Sequence, residues 1–64
     1  MFTICLFLFA TSTATEAKST RCTHGGADSV AAAAAECKAV GKSCEMQRTG
    51  ALSYVVRVRP IGGQ

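Results

Sequence analysis

The side chains able to do chemistry are few, and most are sulfur. Cys22, His24, Cys37 and Cys44 together offer three thiols and one imidazole, the ligand count of a structural zinc site. Their spacing, Cys-x-His and then a Cys pair with six residues between, matches no familiar zinc finger or ribbon. The same set contains a Cys–His pair, but no third group orients the base and nothing supplies an oxyanion site. Paired acids at useful spacing, a nucleophile motif and a phosphate-binding glycine loop are all missing from the sequence. Gly25 and Gly26 stand before a helix start, where an anion can bind, but Asp28 at that start opposes one. The chain therefore reads as non-catalytic, with no cofactor.

Two further features bear on binding. Arg57 and Arg59 alternate with Val58, which on a strand puts both guanidiniums on one sheet face. That face could hold a carboxylate- or phosphate-bearing polymer, or serve as a charged exposed face that discourages edge association. The formal net charge of +3 suits weak attraction to an anionic surface and falls short of a nucleic-acid-binding arm, so no nucleic acid partner is expected.

The compartment is read from the first residues. Residues 2–10 (FTICLFLFA) are apolar apart from Thr3, and residues 11–17 (TSTATEA) are small and hydroxylated. That order is the pattern of an export signal, with cleavage after Ala17 or Ala14, leaving residues 18–64 as a single small domain. The pattern lacks a basic n-region, since the only positive charge before Lys18 is the amine of Met1. The alternatives for the same run are an N-terminal buried strand or a short hydrophobic anchor; a bilayer-spanning helix needs about 20 apolar residues. Removal of residues 1–17 takes away Cys5 and Glu16, makes the chain more basic and leaves an odd cysteine count. One disulfide is then expected in an oxidising compartment, Cys22–Cys44 or Cys22–Cys37 by preference, with Cys37–Cys44 as the other pairing. The leftover thiol is buried or links a second copy into a homodimer. The destination is secreted, periplasmic or cell-envelope.

The elements that must position these groups are short. Residues 29–40 read as a helix capped by Asp28, running through five alanines and stopped by Gly41. Val30, Ala33, Ala34, Cys37 and Val40 share its inner face. Residues 43–48 and 52–59 alternate as strands around a Thr49-Gly50 turn, and Pro60 ends the second. Keeping Cys44, Met46, Tyr54, Val56 and Val58 on one face sets the parity. It pairs Met46 with Tyr54 and Cys44 with Val56 across a three-residue loop, or a longer loop of the same parity. Residues 61–64 form a Gly-rich tail. The expected fold is α+β: one Ala-rich helix on a two-stranded antiparallel sheet, three-stranded if residues 20–23 pair. A domain this small draws only about 3–5 kcal/mol from its core and needs a covalent or metal staple or a partner chain.

The stretch 27–61 resembles the central part of SPOR domains. The likeness lies in the alanine-rich helix ending at Gly41, the short strand 43–48, and a Tyr-led strand of type Y-x-V-R-V-x-P (Tyr54, Val56, Arg57, Val58, Pro60). The resemblance implies an envelope module that binds peptidoglycan stripped of its stem peptides, with Arg57 and Arg59 the nearest candidates for contact. The family's domain continues with a second helix and a final strand, and Arg59 stands where a glycine is expected. Three readings of function follow: an exported binding module for an anionic cell-wall glycan, a secreted disulfide-stapled effector or inhibitor acting on another protein, and a truncated fragment without independent function.

Overall fold

In a computed structural model, residues 1–60 are described; the expected tail at 61–64 lies outside them. The element order is β1 (Phe2–Leu8), β2 (Ser19–Gly25), α1 (Ala27–Val40), β3 (Cys44–Gly50) and β4 (Ser53–Val58). The class is α+β, as the composition and patterning indicate. The sheet differs from the expected one: it has four strands in the order β2-β1-β4-β3 and is mixed, not purely antiparallel.

The difference comes from the first residues. The run expected to leave as an export signal forms β1, one of the two central strands. It pairs antiparallel with β2 from Phe2↔Gly25 to Leu8↔Ser19 and parallel with β4 from Thr3↔Ser53 to Leu8↔Val58. FTICLFL is apolar on both of its faces: Ile4 and Leu6 pack beneath α1, and Cys5 and Phe7 stand on the opposite face of the sheet. The segment 20–23, expected to join the hairpin sheet if it paired, instead extends to Ser19–Gly25 and pairs with β1 alone.

α1 begins earlier than its expected cap. Gly26 is the N-cap, with no side-chain hydrogen bond, and Asp28 sits inside the first turn, where its charge favours the positive end of the helix dipole. Gly41 stops the helix with φ +95°, a conformation that side chains disfavour, and its N–H donates to the Cys37 carbonyl oxygen at 3.2 Å. Gly25 is needed for a different reason: a Cβ there would lie 2.7 Å from the Ser29 Cβ, so the β2–α1 junction closes only over glycine.

The contact stripe of α1 is narrower than the expected five residues. Val30, Ala33 and Cys37 face the sheet, while Ala34 and Val40 are exposed. The core consists of Ile4 from β1, Val56 from β4 and Cys37 from α1, each 6–8% exposed. Leu6, Tyr54, Met46, Cys44 and Val58 pack around them. On the same face, the Phe2 and Tyr54 rings tilt against each other with centroids 5.9 Å apart.

The β3–β4 hairpin keeps the expected parity and shifts its register by two residues. Met46 opposes Val56 and Cys44 opposes Val58, where Tyr54 and Val56 were expected. Gly50 lies within β3, so the turn falls at Ala51 and Leu52 rather than at Thr49-Gly50, and a bulge sits between Arg48 and Gly50. Arg48 holds this turn: its Nε donates to the Gly50 carbonyl oxygen at 3.0 Å and its Nη2 to the Ala51 carbonyl oxygen at 3.3 Å.

Ile4→Ala tests whether β1 belongs to the core. Loss of a buried aliphatic side chain lowers stability by about 2–4 kcal/mol in denaturant unfolding. A change within about 0.5 kcal/mol, the level of an ordinary surface substitution, would contradict the placement.

Candidate functional site

α1 covers one face of the sheet and leaves the other uncovered. Alternation along each strand decides what that open face carries. Ile4, Leu6 and Val56 point toward the helix, so Thr3, Cys5 and Phe7 of β1 and Ser53, Val55 and Arg57 of β4 point away from it. Thr20, Cys22 and His24 of β2 oppose Phe7, Cys5 and Thr3 and join the same face. Glu45 and Gln47 of β3 join it from the far edge.

The connection from β1 to β2, residues 9–18, folds over one end of this face. Its ends are tied by the Phe9 N–H to the Val58 carbonyl oxygen at 3.0 Å and the Lys18 N–H to the Leu8 carbonyl oxygen at 2.6 Å. Between loop and sheet lies an open hollow of about 470 Å³, lined by Phe7, Phe9, Thr20, Val55, Arg57 and Arg59, with residues 15–17 forming its rim.

The sequence reading paired Arg57 with Arg59, and both line this hollow. Their environments differ. Arg57 donates to Gln47 Oε1 at 2.9 Å and has Glu45 Oε1 at 3.7 Å. Glu45 is largely exposed, so this ion pair is worth at most about 1 kcal/mol and leaves Arg57 able to exchange its partner for a ligand. Arg59 is more tightly used. Its guanidinium lies over the Phe9 ring, 3.8 Å from the centroid, and donates to the Ala14 carbonyl oxygen at 2.7 Å. Arg59 thus positions the loop that forms the rim, while Arg57 is the cation with a replaceable partner.

The cysteines depart from the expected pairing. All four are bonded within the chain: Cys5 to Cys22 and Cys37 to Cys44. Neither preferred bridge, Cys22–Cys44 or Cys22–Cys37, is present, because Cys22 directly opposes Cys5 across β1 and β2, their Cα atoms 3.9 Å apart. The Cys37–Cys44 pairing joins the end of α1 to the start of β3. No thiol remains to link a second copy into a homodimer, and Cys22, Cys37 and Cys44 have no thiolate to offer a zinc ion beside His24. His24 Nδ1 lies 3.1 Å from Thr3 Oγ1.

Phe7, Phe9 and Glu16 also line the hollow, and they fall within residues 1–17, the segment whose pattern is that of an export signal. The signal that could have found them is the apolar run 4–9 itself, whose alternate residues can line the two faces of a strand. Among the described residues no helix is long and apolar enough to cross a membrane. No family model matches this chain, and no curated protein or solved structure matches it either.

Arg59→Ala removes both the carbonyl hydrogen bond and the ring contact. It is expected to lower stability by about 1–2 kcal/mol and to speed amide exchange within residues 9–18 before any other segment. Unchanged exchange in that loop would show that Arg59 does not hold it.

Proposed function

We propose that this protein is a small non-catalytic binding module of an oxidising, extracytosolic compartment, and that the hollow on its uncovered sheet face takes an anionic cell-wall glycan. The observation that carries this reading is the meeting of Arg57 with Phe7, Phe9 and Thr20 in one open hollow. An aromatic ring offers a flat apolar surface to a sugar, a hydroxyl offers a hydrogen bond, and a guanidinium binds a carboxylate in bidentate fashion. The two intramolecular disulfides fit an oxidising compartment, since such bonds are rare where thiols are kept reduced. The resemblance of residues 27–61 to SPOR domains points to the same ligand class and narrows it to peptidoglycan stripped of stem peptides. Removal of residues 1–17 by cleavage and use of those residues as β1 are mutually exclusive for one molecule, and this reading adopts the strand, which supplies Phe7 to the hollow.

The density of disulfides also supports a second reading, a secreted stapled effector or inhibitor acting on another protein. Two bridges in 64 residues are typical of small extracellular scaffolds. On that reading the product stays soluble beside cell wall, and reduction abolishes its effect on the target.

Cosedimentation with purified peptidoglycan, intact and stripped of stem peptides, separates the two. The glycan reading expects retention on the stripped polymer, weakening with salt, and a loss of about tenfold or more in affinity for Arg57→Ala, the size of one charge-assisted contact. Failure to sediment with either polymer, or sedimentation indifferent to Arg57→Ala, would overturn it.

A further inference from the structure

The two disulfides occupy opposite kinds of surroundings. Cys37 is buried under α1 and Cys44 is half-buried beside it. Cys22 is exposed on the edge strand β2, and Cys5 is half-buried on the central strand β1. Both sulfurs of this second bridge stand on the uncovered face. We infer that Cys5–Cys22 is a thiol-exchange site, attacked at Cys22 Sγ by a low-molecular-weight thiolate, and that Cys37–Cys44 is a permanent structural bond.

Access decides which sulfur is attacked. Exchange requires the incoming thiolate to approach opposite the leaving sulfur. Attack on Cys22 comes from the open edge of the sheet, beyond which no strand pairs among the described residues. Attack on Cys5 would come from over β4, where Val55 stands beside Cys5 in the register. No acidic side chain on β1 or β2 repels an incoming anion. In the first step the external sulfur bonds to Cys22 Sγ, the Cys5–Cys22 bond breaks, and its electron pair leaves on Cys5 Sγ, which takes a proton from water. A second external thiolate then bonds to the external sulfur of the mixed disulfide and expels the Cys22 thiolate. The protein disulfide is reduced, and two external thiols are oxidised to their disulfide.

The exchange has a structural consequence. No side chain of β2 is buried. Apart from its backbone ladder, β2 is held to β1 by the bridge, by the Thr3–His24 contact and by Thr23 Oγ1 donating to the Ile4 carbonyl oxygen at 3.5 Å. Reduction removes the one covalent tie and loosens β2, which turns apolar β1 into an edge strand with unpaired backbone groups. α1, β3 and β4 keep their own tie through Cys37–Cys44.

Titration of the full chain with reduced glutathione, quenched by alkylation and mapped by mass, tests this. The expected order is a glutathione adduct on Cys22 with Cys5 alkylated, at least about tenfold faster than any labelling of Cys37 or Cys44, because exchange rate follows sulfur access. Amide exchange on the partly reduced protein should show loss of protection in residues 19–25 with residues 37–58 unchanged. The double variant Cys5→Ser, Cys22→Ser should form no adduct at matched glutathione and show the same loss in residues 19–25. Labelling of Cys37 and Cys44 first or together with the others, an adduct on Cys5, or full protection of residues 19–25 after reduction would overturn the inference.

Discussion

The rest of the structure depends on the backbone ladders of β1. Among the described residues β1 is the strand that pairs with both β2 and β4, so the sheet is one sheet because Phe2–Leu8 lies in the middle of it. Its two faces do different work. Ile4 and Leu6 supply the floor on which α1 rests, and Cys5 and Phe7 supply the centre of the uncovered face. A one-residue slip of β1 would exchange these sets, burying Cys5 away from Cys22 and lifting Ile4 out of the core. The Cys5–Cys22 bond ties β2 to β1 in the matching register.

The core above this strand is thin. α1 touches the sheet through Val30, Ala33 and Cys37, and alanine lets the helix approach closely while burying little area. A chain of this size cannot rely on such a core alone. The two covalent bonds compensate in complementary places: one ties the edge strand to the centre, the other ties the helix end to β3. Both stabilise chiefly by restricting the unfolded chain, by roughly 2–4 kcal/mol each. The uncovered face is then free to carry polar, cationic and aromatic groups together, and the Arg59–Phe9–Ala14 contacts fold the loop 9–18 over it without help from the core.

What could be read from the sequence follows the range of the signals. The helix, its stop at Gly41, the parity of the hairpin and the shared face of Arg57 and Arg59 are local patterns, and they appear in the structure with shifts of one or two residues. The hairpin register moved because Arg48 caps the turn carbonyls, a side-chain contact that residue propensities at Thr49-Gly50 do not encode. The sheet's centre was missed for a different reason. An apolar run of this length has the composition of both an export signal and a central strand, and its parallel partner β4 lies some 50 residues away, beyond the range of any local pattern. Without Cys5, Cys22 has no correct partner, and of the three pairings open to the remaining cysteines only Cys37–Cys44 appears in the structure. The even total of four cysteines is the cue in the sequence that Cys5 has a partner.

The most direct measurement is the non-reduced intact mass of the protein recovered from its native compartment, with peptide mapping of its disulfides. The account predicts a chain that retains Phe2–Leu8, lighter than its reduced form by the hydrogens of two disulfides, and yielding a linked peptide pair that contains Cys5 and Cys22. A product beginning at Lys18 or Thr15, with three cysteines and no Cys5 partner for Cys22, would contradict it.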